Sequence, residues 1–251
     1  MTLDSNTSNL GRREWLFIAL AGLFITNAVT AELISNKLVE VPIIFDLFGK
    51  QFGPFVTIIG ILPWPVVFLL TDLMNEFYGA KAVRRLSWIT AGLIAYCFVI
   101  VLLALQIPAF EIPNSGLATN EQFKSVFGQA PWVIVGSIIA FLVSQLLDAT
   151  LFHFIKNKTG NRFIWMRSTG STMVSQLIDS YIVLYIGFVL PGNMDWSTYM
   201  VVAPTNYILK LIIAIALTPL IYVGHAAVRR YLRLGDKGQM TNDKGQMTRD
   251  K

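Results

Sequence analysis

The sequence predicts an all-α membrane protein of six transmembrane helices with both termini in the cytoplasm. Three observations carry this. Of 251 residues, 54% are hydrophobic and only 14% are charged, against about 25% charged in soluble domains. Six apolar segments reach the roughly 20 residues that a bilayer crossing needs. Lys and Arg then fall almost wholly on one side of the resulting topology.

Taken in order, residues 1–10 are polar and read as a flexible N-terminus. Arg12-Arg13 precede the first span, Trp15–Ile34. The pair resembles a twin-arginine signal or the start of a cleavable signal peptide. The long apolar run and the spans that follow favour an uncleaved helix. Ser35–Phe52 mixes Val39, Val41, Ile43 and Phe45 with Pro42 and Gly49. It reads as a short hairpin, a re-entrant lid or a plain interfacial loop. The later spans are Gly53–Phe77, Ser87–Ile107, Pro131–Ile155, Ser171–Leu190 and Thr198–Tyr222. Residues 11–234 thus read as one six-helix transmembrane domain. In residues 235–251 the string Asp236-Lys-Gly-Gln-Met-Thr241 returns as Asp243-Lys-Gly-Gln-Met-Thr248. That tail lacks apolar periodicity and reads as disordered.

With the N-terminus inside, the cytoplasmic segments hold sixteen of the twenty Lys and Arg residues. The outer loops hold Lys37, Lys50 and Lys124, and Lys210 lies within the last span. The net charge of +5 is therefore a topology signal and implies no nucleic-acid partner. The lone Cys97 excludes an internal disulfide and a cysteine-built zinc site. No Gly-rich phosphate loop with Lys-Ser/Thr appears, so the chain itself does not hydrolyse ATP. Short loops leave no room for a soluble catalytic domain. No enzyme, catalytic residue, cofactor or metal is expected.

The informative polar groups lie inside the spans. Val143-Ser-Gln-Leu-Leu-Asp148 recurs as Val174-Ser-Gln-Leu-Ile-Asp179. An Asp at the centre of a membrane helix costs roughly 2.5–3.5 kcal/mol. Gln145 and Gln176 sit three residues before their Asp, on the same helix face. From the span ends, Asp148 and Asp179 fall at one depth, roughly 10–12 Å above the cytoplasmic boundary. The pair is expected to form a patch of two carboxylates and two amides. Close carboxylates do not both ionise easily, which would permit proton coupling. Helix–helix hydrogen bonding is the structural alternative.

Asp72, Asn75 and Glu76 share one face of span two. Span one ends with Glu32, Asn36 and Lys37 on the outer side. Lys37 can snorkel to water. Lys210, four residues after Asn206, can serve as a counter-ion for Asp148 or Asp179. Arg167 and His153 read as cytoplasmic-surface groups, with Arg167 able to reach the Asp pair from below. Phe17, Phe24, Phe68, Phe141, Phe152, Tyr181 and Tyr185 offer flat faces on these spans. This inventory suits an uncharged or cationic planar heterocycle with N–H donors and repels an anion. An intramembrane Asp protease is the enzymatic alternative, but the Gln-Leu-Leu and Gln-Leu-Ile contexts do not match one.

Ala31-Glu32, Ser35-Asn36-Lys37 and Thr71-Asp72-Leu-Met-Asn75-Glu76-Phe-Tyr78-Gly79 resemble the queuosine precursor transporter family of bacterial inner membranes. So do Trp165-Met-Arg167-Ser-Thr-Gly-Ser171-Thr172, then Ser175-Gln176 and Asp179-Ser180, and Tyr207-Ile-Leu-Lys210 with Thr218-Pro219. The resemblance spans about residues 11–230, without the repeated tail. It implies a multi-pass inner-membrane carrier importing 7-deazaguanine bases of the preQ0/preQ1 type. Its expected partners are the planar base and the lipid bilayer, and a homodimer stays open. Asp148, Asp179, Gln145 and Gln176 are the leading candidates to hold the base. Asp72, Asn75, Asn36, Glu32 and Lys210 come next. The family is also regarded as related to the substrate-binding subunits of energy-coupling-factor importers. Many of those carry an Ala-x-x-x-Ala seam in the first helix. No Ala pair at that spacing occurs in span one, which favours a solitary carrier.

Overall fold

In a computed structural model, the described residues are 11–35, 37–42, 44–47, 49–52, 55–110, 116–129, 131–160 and 164–232. Among them are seven α-helices: α1 Arg12–Ile34, α2 Trp64–Tyr78, α3 Ala80–Ala104, α4 Asn120–Phe127, α5 Pro131–Thr159, α6 Ile164–Leu184 and α7 Trp196–Tyr231. Six helical stretches are long and apolar enough to cross a membrane. The N-terminal and repeated-tail expectations fall outside the described residues, as does Asn36.

Local chemistry sets the helix ends. The Glu14 carboxylate accepts the Gly11 N–H at 2.8 Å and starts α1. Pro65 in the first turn of α2 gives up an N–H that would have no helical partner there. Gly79, at φ 82°, ends α2 with its N–H on the Met74 carbonyl and opens α3 in the same step. A side chain at that φ would strain the one-residue joint. The last helix has 36 residues, with Pro204 and Pro219 inside it. It is about 54 Å long, well beyond a bilayer core.

Span two departs from expectation. Its stretch from Gly53 reads as apolar helix, but Phe55–Ile58 is a strand, β4, followed by a 3-10 turn at Ile59–Ile61. The β-branched run Val56-Thr57-Ile58-Ile59 before Pro63 favours extended backbone. That strand pairs antiparallel with β1, Leu38–Val41. Inside this pair, β2 (Phe45–Leu47) and β3 (Lys50–Phe52) form a second hairpin. The Ser35–Phe52 loop thus supplies the first arm of the outer hairpin and both arms of the inner one, with Gly49 at φ 74° in the inner turn. The amphipathic α4, capped by Thr119 and Gln122, was not foreseen.

The core joins α1, α2, α3 and α5. Phe24, Val67, Met74, Val83, Ile94 and Phe141 are fully or almost fully buried there. Phe24 and Trp64 both rest on Phe141, with ring centroids 6.3 and 5.9 Å away. The tightest helix pair is α5 with α6. A Cβ on Gly136 would lie 3.0 Å from the Gly187 nitrogen, so backbone meets backbone at that crossing. Gly187 sits in a π-helical turn, Tyr185–Val189, that continues α6. Outward-facing Trp88, Tyr96, Val99, Leu103 and Val223 are largely exposed, as a lipid-facing surface requires.

Arg12, Lys81, Arg84, Arg85, Lys156, Lys158, Arg229 and Arg230 all lie near helix ends. The start of α1 meets the end of α2, where Arg13 donates to the Phe77 carbonyl and Tyr78 donates to that of Arg13. This end of the bundle is called the basic end below.

Candidate functional site

The chemistry is organised by one face of α6. Ser168, Thr172 and Ser175 follow at four and three residues and are all buried. In a helix that spacing lines up one stripe. The stripe faces α2 and α5 in three polar layers.

Nearest the basic end, Glu76 of α2 gathers basic side chains from three other helices. Arg167 of α6 pairs with it at 2.8 Å, Lys156 of α5 at 3.3 Å and His225 of α7 at 3.7 Å. Arg167 is only 1% exposed. It also donates to the Gly160 carbonyl at 3.1 Å and stacks over the Phe152 ring. Four helices are therefore held together by one carboxylate. Breaking such a buried pair costs about 3–5 kcal/mol.

The middle layer is rich in acceptors that lack partners. Asp72 accepts a hydrogen bond from Ser168, and its Oδ1 is buried without a partner. Asn75, one turn on, is fully buried with both amide atoms unpartnered. Across from them, Asp148 accepts from Thr172 at 3.3 Å and Ser175 at 3.2 Å through Oδ1, while Oδ2 has no partner. Thr71 donates to Gln145 Oε1 at 3.1 Å and ties α2 to α5. Two small cavities of about 10 Å³ each flank Asp72. One is walled by Ser168, Thr172 and Ala214, the other by Glu76, Phe152 and His225. Each has room for about one water molecule.

The third layer lies farther from the basic end. Lys210 of α7 pairs with Asp179 of α6 at 2.5 Å, and Ser144 of α5 donates to the same carboxylate at 3.3 Å. Glu32 of α1, 5% exposed, lies within electrostatic reach of both Asp179 and Lys210, beside Ser137. The Gln129 amide donates to the Glu32 backbone carbonyl at 2.7 Å and fastens the end of α1.

The expected Asp pair is therefore staggered. Asp148 lies level with Ser175 and Asp179 with Ser144, because the antiparallel helices match each Asp to the other repeat's Ser. Four residues separate Ser144 from Asp148, an offset of about 6 Å. Neither Asp148 nor Asp179 lines the two cavities beside Asp72. Gln145 and Gln176 are both buried. Lys210 is the counter-ion of Asp179, not of Asp148. Arg167 is not a surface group, since α6 begins at Ile164 and carries it into the bundle. Glu76 is likewise buried, its side chain 4% exposed. Sequence reasoning missed Ser168, Thr172, Ser175, Lys156 and His225. The hydroxyl stripe was detectable from its spacing, but a Ser/Thr-rich stretch after a basic loop reads as surface.

The chain matches known proteins by sequence. A family model described as "Putative vitamin uptake transporter" matches residues 58–224. A "Probable queuosine precursor transporter" of Bacillus subtilis is 29% identical over 179 residues, covering 70% of this chain and 73% of that protein. The "Queuosine precursor transporter" of Escherichia coli is 24% identical over 231 residues, covering 86% of each. A probable one from Haemophilus influenzae is 24% identical over 213 residues, covering 82% and 83%. No solved structure matches the chain. The family match covers well over half of the sequence, including Asp72, Asp148 and Asp179, and with the three relatives it shows that the chain belongs to the queuosine precursor transporter family.

Proposed function

We propose that the chain is a multi-pass carrier of the bacterial inner membrane, both termini in the cytoplasm, that imports queuosine precursor bases of the preQ0/preQ1 type. The observation that carries the site assignment is the pair of unsatisfied acceptor groups on α2. Asp72 Oδ1 and the Asn75 amide are buried one turn apart with no hydrogen-bond partner. A buried polar group without a partner costs about 1–3 kcal/mol, more when charged. A ligand that supplies the missing partners recovers that cost. The guanine-like edge of a 7-deazaguanine base offers a ring N–H and an exocyclic amine. One carboxylate can accept both, and an Asn amide can donate to and accept from the same ring.

The cavities at Asp72 hold far less than a base. Loading therefore requires helices to part. The Glu76 cluster lies on one side of Asp72 and the Lys210–Asp179 pair on the other. Opening one while the other stays shut gives alternating access.

The test is uptake at low external base in cells unable to make the precursor, read out as queuosine in tRNA. Asp72→Asn should lower uptake at least about tenfold, from loss of a charge-assisted hydrogen bond. Uptake equal to the parent would remove Asp72 from the site.

A further inference from the structure

We propose that Asp148 binds a coupling proton that crosses the membrane with each base. This rests on Asp72 being the acceptor for the base. Asp148 is 5% exposed and Asp72 is 4% exposed. Each has one oxygen bonded to α6 hydroxyls and one oxygen with no partner. The two carboxylates lie within electrostatic reach of each other.

The surrounding charges compensate them only in part. From α2 comes Glu76, from α6 Arg167 and Asp179, from α7 His225 and Lys210, from α3 Arg84 and from α1 Glu32. On α5 itself lie His153 and Lys156. Arg167, Lys156 and His225 converge on Glu76, Lys210 pairs with Asp179, and Arg84 bonds Thr150. Arg167 reaches Asp72 electrostatically but forms its ion pair with Glu76, so its single charge does not also offset Asp72 and Asp148. Two buried negative charges within electrostatic reach of each other do not readily both persist. The neighbouring cavities hold about 10 Å³ each, room for one water-sized species. A proton needs one oxygen and no added space.

Position assigns the proton to Asp148. Asp72 lines both cavities and faces the solute, whereas Asp148 lines neither. Thr172 bridges the two environments, since it walls a cavity beside Asp72 and bonds Asp148. Its hydroxyl can donate on one side and accept on the other. One O–H bond forms on loading and breaks on release. The sign of coupling follows. A neutral base that donates N–H groups to Asp72 holds that carboxylate ionised, and the ionised neighbour favours a proton on Asp148. Base and proton then strengthen each other's binding reciprocally.

The test uses the full chain in liposomes, a pH-sensitive dye in the lumen and the neutral nitrile-bearing 7-deazaguanine base outside. With the outside one pH unit more acid, wild-type accumulation should rise up to about tenfold, and base entering the lumen should acidify it. Asp148→Asn, whatever its rate, should show equal uptake with and without the gradient and no acidification. Wild-type uptake that ignores the gradient and leaves lumenal pH unchanged overturns the proposal, and so does proton flux in Asp148→Asn. The wild-type dye record decides even if that variant is inactive. Absence of base uptake by the wild type in every condition overturns the transport reading itself.

Discussion

Ser175 of α6 donates to Asp148 of α5 at 3.2 Å. The corresponding Ser144 of α5 returns the bond to Asp179 of α6 at 3.3 Å. Each hydroxyl is also shared with the carbonyl three residues back in its own helix, Thr172 and Phe141 respectively, at 3.1 Å. The repeated hexapeptide is thus a clasp of pseudo-twofold symmetry, with each copy supplying donor and acceptor to the other. Ser144→Ala and Ser175→Ala should each destabilise the α5–α6 pair by about 1.5–3 kcal/mol, the range for hydrogen bonds to charged groups. Thermal unfolding in detergent checks this. A loss in only one variant would show that the symmetry is geometric without being energetic.

Removing the buried guanidinium should be more damaging. Arg167→Met leaves Glu76 buried with only the half-exposed Lys156 and the more distant His225. The expected cost is about 3–5 kcal/mol. Adding Glu76→Gln to Arg167→Met should recover part of it, because no uncompensated charge then remains. Denaturation of the single and double variants gives the answer, and a double variant weaker than Arg167→Met would contradict the pairing.

The α5–α6 crossing makes a contrasting pair of glycine tests. In Gly136→Ala the new Cβ meets the Gly187 nitrogen at 3.0 Å and the Val183 carbonyl oxygen at 3.2 Å, both backbone atoms. The helices must separate, at a cost of about 1–3 kcal/mol. In Gly92→Ala nothing lies within 4 Å of the added carbon. That change should stabilise α3 by up to about 1 kcal/mol through helix propensity. Melting temperatures should move in opposite directions.

Outside the spans, Asp195 caps α7. Hydrogen bonds from Ser197 and Thr198 hold its carboxyl below the usual carboxylate range. A depressed folded-state value places the stabilisation above the unfolded pKa of about 3.9. It is lost as pH falls through the folded value. Protection from hydrogen exchange in the first turn of α7, relative to the intrinsic rate at each pH, should therefore fall in acid, and Asp195→Asn should remove that acid dependence. An unchanged acid profile in Asp195→Asn would assign the effect elsewhere.

The spans with continuous apolar runs were legible, because α3 and α5 need only length and hydropathy to be recognised. The nested hairpin was not. Val56, Thr57 and Ile58 are as apolar as a helix start, and only their branching at Cβ marks them as strand. The acids of the middle layer were legible as polar groups inside the spans, and the Asp72–Asn75–Glu76 face came directly from helical spacing. Arg167 was not, since a cation beside a basic loop looks solvated until its partner on α2 is known. The stagger of Asp148 and Asp179 was hidden for a different reason. Depth counted from uncertain span ends cannot resolve one helical turn, whereas the Ser-to-Asp bonds fix it.

The water-sized cavities beside Asp72 bear on the idle molecule. With only water-sized space beside Asp72 among the described residues, an empty carrier offers salt little to follow there and helps keep the membrane insulating. A cell can then display many copies without short-circuiting the voltage that powers its other work.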